Sequence, residues 1–161
     1  MKDTHPATPA IRCLREHGIA FTPRPYAWQD KGGTRRSAQE LGEDEHLVIK
    51  TMVMEDDERR PFLVLMHGDR EVSTRRLARI LGARSVTPAT EATAQKVTGY
   101  QVGGISPFGT RSTLRVCVER SILGLPRILI NGGRRGLLVE LDPLDLARVL
   151  PVEEVEAAAS P

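Results

Sequence analysis

Apolar positions along the chain alternate between helical and strand spacing, and each change of spacing marks an element. Ala10, Ile11 and Leu14 share one face of a segment that Thr8 can cap, with Pro9 at the first helical position and Gly18 as its stop. This predicts a first helix. Pro23, Pro25 and the pair Gly32-Gly33 then predict a short extended piece and a loop, and a short helix over Ser37–Leu41 stops at Gly42. His46–Met54, HLVIKTMVM, is almost continuously apolar and of strand length, and the acidic EDDE cluster with Pro61 turns it into a second strand, Phe62–Met66. A hairpin is predicted. Ser73 caps a helix with Leu77, Ile80 and Leu81 on one face and Gly82 at its end, and another helix follows Thr87-Pro88 as far as Gly99. Beyond the glycine-rich loop Gly103–Gly109, strands are predicted at Leu114–Val118, Arg127–Ile130 and Leu137–Leu141, the last two flanking the turn NGGRRG, Asn131–Gly136. Asp142-Pro143 opens a last helix that ends near Leu150, and the small, acidic tail from Pro151 is expected to be flexible.

The strands cluster without a regular strand-helix-strand alternation, which predicts an α+β fold with a curved, largely antiparallel or mixed sheet. A chain of 161 residues suits one domain with one core, here 1–161 with the core over about 8–150. Hydrophobic residues at 40% and charged residues at 27% argue against a disordered, fibrous or membrane-spanning protein. Met1 to Pro9 carries Lys2, Asp3, His5 and two prolines, which is not a secretory pattern, so a cytoplasmic location is expected. A net charge of +2 implies neither a highly basic nucleic-acid coat nor a membrane-clinging patch. The basic residues are lopsided, however: all but four of the 23 are arginine, and the lysines are Lys2, Lys31, Lys50 and Lys96.

Lys50 is the most informative of these, because strand alternation puts Val48, Met52 and Met54 on its own face. Two readings stay open. It is an edge-strand lysine that deters sheet pairing or snorkels to water, or its ammonium enters a pocket to hold an anionic or carbonyl group or act as a base. To serve as a neutral base near pH 7 a lysine must drop from about 10.4 by roughly three pH units, about 4 kcal/mol against its charged form. Holding a ligand needs no such change, so positioning is favoured over proton abstraction. The loop Gly103-Gly104-Ile105-Ser106-Pro107 is a second candidate, since adjacent glycines let backbone approach a ligand and turn N–H groups towards an oxyanion. NGGRRG is either a phosphate-contacting nest with Arg134 and Arg135 or a hairpin turn. No serine lies in a GxSxG elbow, Cys117 is a weak candidate nucleophile, and Cys13 with His17 makes at most half a metal site. No metal, cofactor or disulfide is expected.

VIKTMVM around Lys50, TGYQVGGISPFG from Thr98 to Gly109 and INGGRRGLLVEL from Ile130 to Leu141 together resemble the YbaK family, as do the opening TPAIRCLREHGI and, further on, HGDREV with LARILGA. The resemblance runs in order from about Thr8 to Leu150. It implies a trans-editing aminoacyl-tRNA deacylase related to the editing domain of bacterial prolyl-tRNA synthetases, acting on cysteine mischarged to proline tRNA, on a barrel-like mixed sheet with helices outside. It further implies that Lys50 is the functional lysine, and that Gly103 and Gly104 with Ile105, Ser106 and Pro107 form the loop against the aminoacyl-adenosine. Asn131 and Gly132 would then line the pocket and Tyr26 stand near its entrance. Arg134, Arg135 and the arginines after Ser73 would contact tRNA phosphates, the partners being the acceptor end of a mischarged tRNA and, as a candidate, prolyl-tRNA synthetase. Leu138 stands where some relatives carry aspartate, and KGGTRRSAQELG departs from the better-known branch, which leaves the amino acid open. The rival reading is a non-catalytic module that holds tRNA ends or a synthetase.

Overall fold

The structure, a computed structural model, describes residues 7–160. The elements in order are α1 (Pro9–Glu16), β1 (Thr22–Pro25), α2 (Gly33–Leu41), β2 (Val48–Asp56), β3 (Pro61–His67), α3 (Thr74–Leu81) and β4 (Val86–Pro88). They continue with α4 (Glu91–Thr98), β5 (Val116–Glu119), β6 (Ile128–Arg134), β7 (Leu137–Leu141), α5 (Leu146–Val149) and β8 (Val152–Val155). All eight strands belong to one mixed sheet in the order β1-β7-β6-β2-β3-β5-β8, with β4 against the far end of β2. β2 and β6, β3 and β5, and β5 and β8 run parallel, while the remaining neighbours are antiparallel. The sheet is barrel-like but open, since the outermost strands β1 and β8 do not pair with each other.

Local chemistry accounts for these elements. The Thr8 hydroxyl accepts the Ile11 N–H at 3.1 Å and donates to the Gly132 carbonyl at 2.6 Å, so one side chain both starts α1 and ties it to β6. Ser73 accepts the Arg76 N–H at the start of α3. α2 ends at Gly42, whose φ of +65° a β-carbon would oppose. Pro23 and Pro25 are tolerated in β1 because its outer side has no strand to receive N–H donors.

Strand alternation divides the core. Ile49, Val53, Leu63, Leu65, Ile128, Ile130 and Val139 pack with α1, Tyr100 and Phe108 in the larger cluster. Met54, Phe62, Val64, Cys117 and Val155 lie under Leu77 and Ala78 of α3, and Val48, Leu129 and Leu138 under Ala38 of α2. Burial pushes the Cys117 thiol up to about 11, which keeps it protonated at neutral pH. At one end of the sheet Glu43 sits between Arg24 (3.4 Å) and Arg127 (2.8 Å), and both arginines also reach Glu140. The hydrogen bond from Arg127, opposed by burial and helped by the charges of both arginines, holds the Glu43 carboxyl below its ordinary range.

Several expectations need correction. The tail is not loose: it forms β8, buries Val155, Ala157 and Ala158, and gives the N–H groups of Ala157 (2.7 Å) and Ala158 (3.3 Å) to the buried Glu119 carboxylate. Ile80 is 45% exposed, because the two turns of α3 present Leu77 and Ala78 to the sheet instead. α2 starts four residues earlier than expected, at Gly33, and the stretch before α4 forms β4. β6 continues through Asn131–Arg134 with a register irregularity, which shrinks the expected NGGRRG turn to Arg135-Gly136. Among the described residues no helix is long and apolar enough to cross a membrane.

Candidate functional site

The site begins as a missing stretch of ladder. β2 and β6 pair only at Val48 with Leu129 and at Ile49 with Ile130, after which β6 bends away at its irregularity. β4 joins β2 only from Met54 onward. Between these points β2 has a neighbour on one side alone. The Val48 carbonyl accepts the Gly68 N–H (2.7 Å) and the Asp56 N–H donates to Arg60 (3.2 Å), so the even-numbered residues of β2 bond towards β3. The odd ones turn the other way. The Val53 carbonyl is taken by Ala89 at 3.0 Å, but among the described residues no strand faces the backbone N–H and C=O of Thr51. A cavity of about 630 Å³ opens at this gap.

β2 supplies one wall. It is not an outer strand of the sheet, but Lys50 lies at its unpaired stretch and so stands at the lip of the gap. The Lys50 side chain is 21% exposed, and its ammonium lies 3.4 Å from Glu71, which is 81% exposed and free to swing aside. Thr51 sits beside it with Oγ1 buried and unpartnered, the one such side-chain atom among the described residues. A buried hydroxyl without a partner is costly, typically about 1–3 kcal/mol, unless a ligand satisfies it.

The opposite wall is the glycine loop, clamped to the β6–β7 hairpin by Asn131. Its amide donates to the Gly103 carbonyl at 3.2 Å while its oxygen accepts the N–H groups of Gly133 (2.7 Å) and Arg134 (3.1 Å). Gly104 spends its N–H on Gln101 and lies so close to the hairpin that a β-carbon would meet the Arg135 nitrogen at 2.7 Å. The N–H groups of Gly103 and Ile105 carry no hydrogen bond to any described residue. Tyr26 and Trp28 close a third side, with Arg135 stacked on the indole at 4.3 Å, and α2 and α4 contribute Thr34, Ser37, Glu91 and Gln95.

Of the residues singled out from sequence, Lys50, Gly103, Ile105, Tyr26, Asn131 and Arg135 line this cavity together. Gly104, Ser106, Pro107 and Gly132 stand behind its wall. Ser106 is fully buried and accepts the Phe108 N–H, and Gly132 packs on Leu137 and Val139. Arg134 is exposed outside the lining, and Arg76 of α3 is held by the Ala158 carbonyl. Thr51, Trp28, Glu91 and Gln95 were not foreseen. Thr51 and Trp28 each carried a signal, one as the neighbour of the odd lysine and the other as the sole tryptophan.

Among the described residues one group could be considered for a metal, namely His46, His67 and Asp69. The two imidazoles are stacked at 3.8 Å and 4°, so their lone pairs lie in parallel planes and do not converge. His67 is also committed on both nitrogens, Nδ1–H donating to the His46 carbonyl and Nε2 accepting from Ser121. Burial holds it below the ordinary histidine range and therefore neutral at pH 7.

The chain is 26% identical over 143 residues to the proposed Cys-tRNA(Pro)/Cys-tRNA(Cys) deacylase EbsC of Enterococcus faecalis, covering 88% of this chain and 87% of that protein. It is 30% identical over 107 residues to the proline–tRNA ligase of Desulforamulus reducens, a match spanning 66% of this chain but only 18% of the ligase. In structure it resembles a proposed trans-editing enzyme for prolyl-tRNA synthetase, with a TM-score of 0.84 at 19% identity over 97% of this chain and 100% of the other, a likeness of fold. Residues 32–149, which carry the lysine strand, the glycine loop and the bulged hairpin, match the aminoacyl-tRNA editing domain, and the chain belongs to that family.

Proposed function

We propose that the protein is a trans-editing deacylase that cleaves the ester joining a wrong amino acid to the 3′ end of a tRNA, with a Cys-tRNA(Pro)-type molecule as its substrate. The observation that carries this reading is the gap between β2 and β6, where Lys50 and Thr51 on one side and Gly103 and Ile105, whose N–H groups are unpaired, on the other line one cavity. An aminoacyl ester is already activated, so positioning and electrostatics suffice for its hydrolysis.

In this reading the N–H groups of Gly103 and Ile105 receive the carbonyl oxygen as it gains negative charge, and the Lys50 ammonium holds the carbonyl or the terminal nucleotide. Water adds to the carbonyl carbon, the C–O bond to ribose breaks, and the ribose oxygen leaves with a proton that originates from the water. Where the substrate's own thiol attacks instead, its proton passes to the ribose oxygen as the C–O bond to ribose breaks, and water then opens the resulting thiolactone to the free amino acid. Val48, Thr51 and Leu138 in the lining suit a small side chain with at most one weak polar group. The Enterococcus relative's assignment to Cys-tRNA supports cysteine as that side chain. Arg134 outside the wall and Lys31 at the lining would meet acceptor-end phosphates. The ligase relatives support prolyl-tRNA synthetase as a working neighbour.

The test is a panel of amino acids attached to proline and cysteine tRNAs, with release of free amino acid followed for the wild type and Lys50→Ala. Release by the wild type is expected to fall at least about 100-fold in the variant, with an unchanged melting curve. Binding without release on every member of the panel would favour a non-catalytic tRNA-holding module, and full activity of Lys50→Ala would remove the lysine from the mechanism.

A further inference from the structure

We propose that the Trp28–Arg135 stack is a platform for a nucleobase, which the deacylase reading identifies as the terminal adenine. Trp28 is the only tryptophan in the chain, and it lies on the cavity side of the loop between β1 and α2. That loop is fixed rather than draped: Tyr26 N–H donates to Gly136 (2.9 Å), Gly32 N–H to Gln29 (2.9 Å), and Arg36 Nε to Ala27 (3.2 Å). The indole fits against a glycine whose β-carbon would come within 3.1 Å of Nε1, at Gly103. Arg135 lies over the ring at 4.3 Å and is anchored by a single bond from Nε to the Val102 carbonyl at 2.9 Å.

A guanidinium used only for structure ordinarily finds a carboxylate. Arg135 has none among the described residues, so its charge and its remaining N–H donors stay available beside the cavity. An immobilised aromatic plane joined to an uncompensated cation matches a flat ring tethered to phosphate, the chemistry of a nucleotide. The geometry also relates the platform to the reaction. The indole edge abuts Gly103, whose N–H is unpaired, so a base lying on the stack directs its ribose ester towards the loop that would hold the carbonyl.

Because Trp28 is the sole tryptophan, its fluorescence reports on this stack without interference from any other indole. The wild-type protein would be titrated with the trinucleotide CCA, with AMP and with ribose 5-phosphate. Saturable quenching by CCA and AMP but not by ribose 5-phosphate is expected. Equal quenching by all three indicates a phosphate contact alone and overturns the platform, as does no quenching by any. In kinetics, the preference for aminoacyl-tRNA over an aminoacyl ethyl ester should fall about tenfold in Trp28→Leu, mainly through KM, with most of it restored in Trp28→Phe. An unchanged preference in a folded Trp28→Leu also overturns it. Base-dependent quenching in a protein that releases no amino acid would leave the platform standing and remove the deacylase reading, whereas release without quenching does the reverse.

Discussion

Replacing Gly104 by alanine should separate the glycine loop from the hairpin that backs it. The new β-carbon would sit 2.7 Å from the Arg135 nitrogen and 2.8 Å from the Arg134 carbonyl carbon, both main-chain atoms of a paired hairpin, whereas ordinary contact begins at 3.4 Å. One side must therefore retreat by about 0.7 Å, since no flexible side chain can give way instead. The Asn131–Gly103 hydrogen bond, already at 3.2 Å, is then carried beyond bonding distance. Strain of about 1–3 kcal/mol and a lost hydrogen bond of about 1 kcal/mol lower the melting temperature by roughly 5–15 °C. Gly42→Ala is the control. Its β-carbon meets open space, so it carries only the backbone cost of φ +65°, about 1 kcal/mol, and the cavity keeps its shape. Thermal melts of both variants, with amino-acid release measured alongside, test the argument. If Gly104→Ala melts with the wild type and keeps full activity, the wall is not packed as described.

Thr51→Val should leave the melting temperature unchanged or raise it by a few degrees, because it removes a hydroxyl that lacks a partner, while kcat/KM for deacylation falls about tenfold. Undiminished activity would dismiss Thr51 from the site. Glu43, held below its ordinary value, contributes stability that is full above about pH 4.3 and disappears as pH falls through its lower folded-state value. Glu43→Gln should therefore cost about 1–2 kcal/mol at pH 7, discounted because Arg127 is partly in water, and the gap to wild type should close in acid denaturation curves below pH 4. A constant gap down to pH 2 would contradict this. Removing residues 151–161 should lower the melting temperature by roughly 6–24 °C, since the core loses the buried Val155 side chain and Glu119 its two N–H donors, together roughly 3–6 kcal/mol; a truncated chain melting with the full one would show β8 to be dispensable.

What the sequence disclosed was whatever depends on neighbours in the chain. Thr8, Ser73 and Gly42 sit where helix ends require a hydroxyl or a left-handed residue, and the hairpin of β2 and β3 follows from two apolar runs around an acidic turn. Lys50 stood out because a charge in an apolar strand demands a reason. β8 was hidden because VEEV has only its two valines to turn inward and gains strand character from pairing with β5, far back in the chain. Ile80 misled because helical spacing alone does not say how wide a stripe a two-turn helix buries. Thr51 and Trp28 acquire their meaning from the point at which β6 leaves β2 and from Arg135 crossing the indole, and both are non-local facts. The family resemblance brought the lysine and the glycine loop into one picture, but could not separate the residues that face the cavity from those that hold its wall.

The interrupted ladder beside Thr51 has a further consequence, for how the protein avoids its own kind. Unpaired strand edges invite other chains to add on, and sheets usually protect them with charge, proline or a cover. Here the opening is closed at one end by β6 at Ile49 and at the other by Ala89 and β4. Only about three residues, roughly 10 Å, remain bare. A strand of another molecule cannot seat itself in so short a slot, whereas a group the size of an amino acid can. The sheet thus keeps reactive backbone in reach of a small ligand without becoming a template for aggregation.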